Sequence, residues 1–255
     1  MLITASEIIK KSWETYYQNW KKFIPYMILM FVPSVILVFI GVFGLQIEQF
    51  ISRGSLVFLN NLLITAINVA ILLFILWTTI ALTKNLRQII EKKEIVGLKQ
   101  IFTQTSKYLW PIIWSSFLMV LAVLGGFVML FIPALIFAIW FVYIFYTVIF
   151  EDKKGISSLK ASRELVVGRW WKTLWLILVP SFFFGIIILI VQNAFITPLS
   201  ILLEKTSLTY IFLRAFIINI ISAISTPLSA LPMIYLYFSV KENPVEKIPE
   251  TPDKI

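Results

Sequence analysis

The sequence predicts an all-α, polytopic integral membrane protein whose six transmembrane helices form three hairpins, each preceded by an amphipathic interfacial helix at the cytoplasmic surface. Three observations carry the prediction. Five stretches, 23–47, 54–83, 108–150, 173–203 and 215–240, contain no charged residue. Hydrophobic residues make up 60% of the 255 and charged ones 14%, with a mean hydropathy of +0.92, more than a soluble domain with half-apolar helices needs. The 22 Lys and Arg residues, against 13 Asp and Glu, gather in short segments between the apolar runs.

An ionisable side chain at the bilayer centre costs a few kcal/mol, so charge-free runs mark the spans. Each exceeds the roughly 20 residues that cross a hydrocarbon core of about 30 Å. The run 108–150 is about twice that length and must turn back. Pro133 can begin a new helix in its first turn, while Gly125 and Gly126 weaken the helix before it. The expected spans are 23–45, 61–82, 109–129, 133–150, 172–194 and 211–239.

Ahead of the first span, Thr4-Ala5-Ser6-Glu7 has capping-box spacing, and Ile9, Trp13, Tyr16 and Trp20 share one helical face. That stretch predicts an interfacial helix, with Lys10, Lys11, Lys21 and Lys22 reaching phosphate headgroups. No cleavable signal peptide is expected, because some twenty polar and amphipathic residues precede the first apolar run.

Six spans put both termini on one side. Of the 22 basic residues, 19 fall in the N-terminal segment, the connections 84–107 and 153–172, and the tail; only Arg53, Lys205 and Arg214 fall opposite. The positive-inside rule then places both termini in the cytoplasm. The expected location is a prokaryotic plasma membrane. Trp13, Trp20, Trp77, Trp110, Trp114, Trp170, Trp171 and Trp175 all lie at or near that face, and Trp140 alone lies mid-span. The tail 241–255, with Pro244, Pro249 and Pro252, reads as disordered and cytoplasmic.

An offset of 150 residues superposes Ile9 on Leu159, Lys10 on Lys160, Ser12 on Ser162, Glu14 on Glu164, Trp20 on Trp170 and Lys22 on Lys172. A weaker copy runs from Leu98 to Trp110. Residues 1–240 are thus expected to be one domain of three tandem units, near 5–82, 97–150 and 155–240.

The chemistry available is narrow. Cysteine and histidine are absent, which removes disulfides, thiol nucleophiles, imidazole catalysis and the common zinc sites. Ser157 and Lys160 match a Ser-x-x-Lys spacing, but without partner motifs, and a serine there is expected to cap a helix. Glu151, Asp152 and Glu164 are conceivable metal ligands, yet Lys153 and Lys154 follow directly, as in a solvated turn. No catalytic residue, metal or cofactor is therefore expected.

No span carries an ionisable residue at mid-depth, which disfavours a proton-driven pump; Arg214 lies within a turn of the outer end of span six. Asn68, Gln192 and Asn193 are isolated polar positions, whereas Asn219, Ser222, Ser225, Thr226 and Ser229 recur at helical spacing beside Pro227 and Pro232. Such a stripe serves helix packing, or a pathway for a transporter or flippase of a neutral or amphipathic solute. The leading expectation is a non-enzymatic, membrane-organising protein. Its basic, Trp-rich cytoplasmic face would engage anionic lipids or a partner protein, and not nucleic acid, through Lys10, Trp13, Trp20, Lys22, Trp110, Lys160, Arg163, Arg169, Trp170, Trp171 and Lys172.

Phe131-Ile132-Pro133, then Tyr143-Ile144-Phe145-Tyr146, then the run from Glu151 and Gly155 to Trp170-Trp171 give the chain a family resemblance. Thr226-Pro227 through Tyr235-Leu236-Tyr237 adds to it. The chain resembles the membrane-domain family attached to some glycerophosphodiester phosphodiesterases, and the related stand-alone bacterial proteins of the YciC type. The resemblance extends over 5–240 but rests mainly on 131–171. It implies six spans, with an acidic residue and a glycine leading into a short helix before the fifth. It implies no hydrolase activity for this chain, because in that family the activity belongs to a separate barrel domain with histidine and acidic metal ligands.

Overall fold

The computed structural model of the chain describes residues 2–50, 54–129 and 131–244, with the backbone alone for 42–50, 54–56 and 129. Arg53, Lys247 and Lys254, used in the charge count, lie outside the described residues, as does most of the expected tail. Among the described residues there are helices and turns but no strand. The helices are α1 (Ala5–Phe50), α2 (Gly54–Ile90), α3 (Leu98–Thr105), α4 (Leu109–Met129), α5 (Phe131–Trp140), α6 (Ile144–Glu151), α7 (Ile156–Val166), α8 (Trp170–Leu202) and α9 (Leu208–Glu242).

Six segments are long and apolar enough to cross a membrane: Ala5–Gly41, Val57–Ile90, Leu98–Val128, Phe131–Glu151, Trp170–Leu202 and Leu208–Glu242. This is the make-up of a multi-pass membrane protein. Large apolar side chains such as Phe58, Phe131, Phe182 and Phe195 are largely exposed, which suits acyl chains rather than water as the surroundings. At 33 and 35 residues, α8 and α9 are each roughly 50 Å long, so they outreach the hydrocarbon core.

Three elements differ in detail from the spans read off the sequence. The N-terminal amphipathic stretch and the first span form one continuous helix, α1, which runs through Pro25 and Pro33. Each proline forfeits one backbone bond of a 46-residue helix, and no glycine in 5–40 offers a competing break. The third span is led by α3 and a single 3-10 turn, Ser106–Tyr108. The fourth is interrupted at 141–143, between α5 and α6.

The chain divides into two compact units. One comprises Ile9–Leu109 and Pro180–Pro232. In it α1 and α9 run antiparallel: the Tyr16 hydroxyl donates to the Ile224 carbonyl (3.0 Å), Phe31 meets Phe216 edge-on at 5.3 Å, and Phe39 meets Phe212 at 4.8 Å. Trp77 of α2 donates its indole N–H to the Phe102 carbonyl of α3 (3.2 Å), and the two rings meet edge to face.

The other unit comprises Met1–Ile8, Trp110–Val179 and Met233–Ile255. Its N-terminal piece shows the reciprocal capping box that Thr4 and Glu7 predict: Thr4 N–H donates to Glu7 Oε2 (3.0 Å) and Glu7 N–H to Thr4 Oγ1 (3.3 Å). Just before the box, Ile3 N–H donates to Ser239 Oγ of α9 (2.9 Å). α4 continues through Gly125 and Gly126 to Met129. A Cβ on Gly126 would stand 2.9 Å from the Ala134 nitrogen, so this glycine lets the backbone of α5 approach α4. The core of the unit is aromatic. Tyr143, Tyr146 and Phe150 surround Tyr237 with ring centroids 5.4–5.9 Å away, and Phe150 stacks on Phe238 at 5.7 Å.

Candidate membrane-surface site

The segment joining α6 to α8 is built by local backbone chemistry. Asp152 closes α6 in the left-handed conformation (φ 54°), and its N–H and that of Lys153 both return to the Thr147 carbonyl. Gly155 then opens α7 at φ 53° and ψ −129°, a combination reserved for glycine, and donates its N–H to Ser115 Oγ (2.9 Å). Ser157 does not cap α7. Its hydroxyl closes onto the backbone of Lys154, donating to the carbonyl at 2.7 Å and accepting the N–H at 3.1 Å. In the turn after α7, Gly168 at φ 83° redirects the chain into α8.

α7 folds back along α6 and α5 and repairs the break between them. The Ser162 hydroxyl, fully buried, donates to the Trp140 carbonyl (2.7 Å) and accepts the Tyr143 N–H (3.0 Å). One hydroxyl thus serves two backbone groups at the interruption, as irregular backbone within a membrane-spanning segment requires. On the exposed face of α7 the Arg163 guanidinium lies 4.6 Å from the centre of the Trp140 ring.

Glu151 is held rather than free. Its carboxylate accepts the Tyr237 hydroxyl and receives Lys241 Nζ at 2.6 Å and Lys153 Nζ at 2.9 Å. Among the described residues no three Asp or Glu side chains converge as a metal site would need. Arg169, half-buried, donates from Nη1 to the Asn243 carbonyl at the end of α9 (2.6 Å).

Of the interfacial residues expected from sequence, Trp110, Lys160, Arg163, Trp171 and Lys172 are exposed in this unit, with Trp171 77% open. Arg169 and Trp170 are half-buried beside them. Lys10, Trp13, Trp20 and Lys22 belong to the other unit and are also exposed. Tyr16 leaves their stripe to bond α9. In the span-six stripe, Asn219 donates to the Ala215 carbonyl, and Ser225 and Thr226 both donate to that of Ser222. These three side chains bond their own helix; Ser222 is half-buried and Ser229 exposed.

Sequence reading missed the Glu151–Tyr237–Lys241 cluster, Ser162 as the repair of the broken span, and Thr173. The only signal for Ser162 was its match to Ser12, which is buried as deeply but has an Oγ without a hydrogen-bond partner among the described residues. No family model, curated protein or solved structure matches the chain.

Proposed function

We propose that the protein is a non-enzymatic membrane organiser of a prokaryotic plasma membrane, whose basic, tryptophan-rich cytoplasmic surface gathers anionic lipid headgroups. In this reading both termini are cytoplasmic, and the spans pair as three hairpins, each led by an amphipathic segment at the surface. The resemblance to the phosphodiesterase-associated membrane domains and YciC-type proteins belongs to the same proposal.

One observation carries it. Lys160, Arg163 and Lys172 are exposed and make no ion pair among the described residues; Lys172 directly follows Trp170 and Trp171, and the Arg163 guanidinium lies over the Trp140 ring. Unpaired cations beside indoles suit a surface of anionic headgroups, at about 1 kcal/mol per basic residue. The solute-pathway reading has less support, because Asn219, Ser225 and Thr226 spend their donors on their own helix.

The test places the full chain in nanodiscs of mixed phosphatidylglycerol and phosphatidylcholine and measures lipid retention by native mass spectrometry. Enrichment of the anionic lipid should fall in a Lys160→Glu, Arg163→Glu, Lys172→Glu triple variant, and with rising salt as charges are screened. Equal retention of the two lipids by the unmodified protein would sink the proposal, and crosslinking would then test for a protein partner.

A further inference from the structure

Four buried side-chain atoms of one unit have no hydrogen-bond partner among the described residues: Tyr143 Oη, Arg169 Nε, Trp170 Nε1 and Thr173 Oγ1. Three of them fall within five residues at the start of α8. Tyr143 and Thr173 are 0% exposed, and the Arg169 guanidinium lies within Coulombic reach of the Tyr143 hydroxyl. Trp170 and Thr173 stand one turn apart on the same face of the helix.

The chemistry of the set is one-sided. All four atoms can donate a hydrogen bond, and the indole and guanidinium nitrogens can do nothing else. The first N–H groups of a helix add further donors and partial positive charge at the same place. Arg169 has no carboxylate partner among the described residues; its one bond there is to the neutral Asn243 carbonyl. Buried donors without acceptors, around a cation and a helix N-terminus, call for an oxyanion. Trp171 and Lys172 in the same turn are exposed, the residue types that suit a headgroup surface.

We propose that the first turn of α8, with Arg169, Trp170, Thr173 and Tyr143, is a phosphate-binding site, filled by a phospholipid headgroup or by free phosphate. It deepens the anionic-lipid reading, and rests on that reading only for the lipid as the source. It differs from the outer basic surface in being a single saturable site that depends on neutral donors.

The test measures thermal stabilisation of the full chain in an uncharged detergent against inorganic phosphate, dihexanoyl-phosphatidylglycerol and dihexanoyl-phosphatidylcholine. A saturable shift is expected from at least one of them. A response to inorganic phosphate assigns the free ion as source, and a response to the phospholipids alone assigns the headgroup. Thr173→Val and Tyr143→Phe each remove a partnerless hydroxyl, so without ligand these variants should be as stable as the unmodified chain or more so. Both should bind roughly tenfold more weakly or worse. A purely structural hydroxyl would leave affinity unchanged, so full affinity in both variants overturns the site, as does the absence of saturable stabilisation by any of the three. Saturable binding without phosphatidylglycerol enrichment in nanodiscs would remove the outer-surface reading and leave the site standing.

Discussion

Tyr237 and Glu151, 86 residues apart, share a hydrogen bond in which the phenol of α9 donates to the carboxylate that ends α6. Lys241, one turn further along α9, completes the clasp with Nζ 2.6 Å from the same oxygen. The Glu151 side chain is only 14% exposed, so these bonds are charge-assisted and partly desolvated. Tyr237→Phe should cost about 1.5–3 kcal/mol, read as a lower midpoint of thermal unfolding in detergent. A midpoint unchanged from that of the unmodified chain would show that the lysines suffice.

The serines at the 150-residue offset give a paired prediction. Ser162→Ala strips the partner from two backbone groups of the broken span, at about 1–3 kcal/mol for each group left buried and unsatisfied. Ser12→Ala removes a buried hydroxyl that bonds nothing among the described residues, and should be neutral or mildly stabilising. Equal effects in the two unfolding curves would contradict the bridging role.

Gly155 and Gly126 are expected to resist substitution for different reasons. Alanine at 155 must hold a glycine-only backbone conformation (φ 53°) with its Cβ 3.4 Å from the Trp114 ring, at a cost of about 1–3 kcal/mol. Alanine at 126 meets the backbone of α5, which cannot swing aside as a side chain can. Gly185→Ala, with nothing within 4 Å of the added carbon, should be neutral or stabilising by helix propensity. Unfolding midpoints of the three variants measure the contrast.

Glu91, just beyond α2, supplies a pH dependence. Burial alone would raise its pKa, but hydrogen bonds from Lys93 (2.6 Å) and Arg87 (2.8 Å), with their positive charges, outweigh burial and hold it below the ordinary value of 4.5. A carboxylate whose folded pKa is depressed stabilises the fold above its unfolded pKa, and that contribution disappears as pH falls through the folded value. The stability difference between the chain and Glu91→Gln should therefore be full at neutral pH and shrink below about 4.5. A difference independent of pH would exclude the ionised pair as its source.

Much of the helical layout was legible because a bilayer punishes charge: the uncharged runs mark the segments long and apolar enough to cross. Thr4 and Glu7 were legible because a capping box is local. The break at 141–143 was not, since Phe141, Val142 and Tyr143 include neither glycine nor proline and the group that satisfies the break lies on another helix. Nor was the merging of the N-terminal stretch with the first span, where prolines at 25 and 33 are carried within the helix. Glu151 was visible as an acidic residue in a basic turn, but its contacts with α9 depend on tertiary proximity that no spacing encodes. The donors at 143, 169, 170 and 173 are ordinary residues one by one, and only burial without partners sets them apart.

Because Ser162 stitches together the open backbone of the fourth span, α7 is no loose flap hung from a loop. Lifting it would strand an amide and a carbonyl in a greasy interior. Displacing α7 would therefore disturb the span itself, because Ser162 holds the Trp140 carbonyl and the Tyr143 amide together.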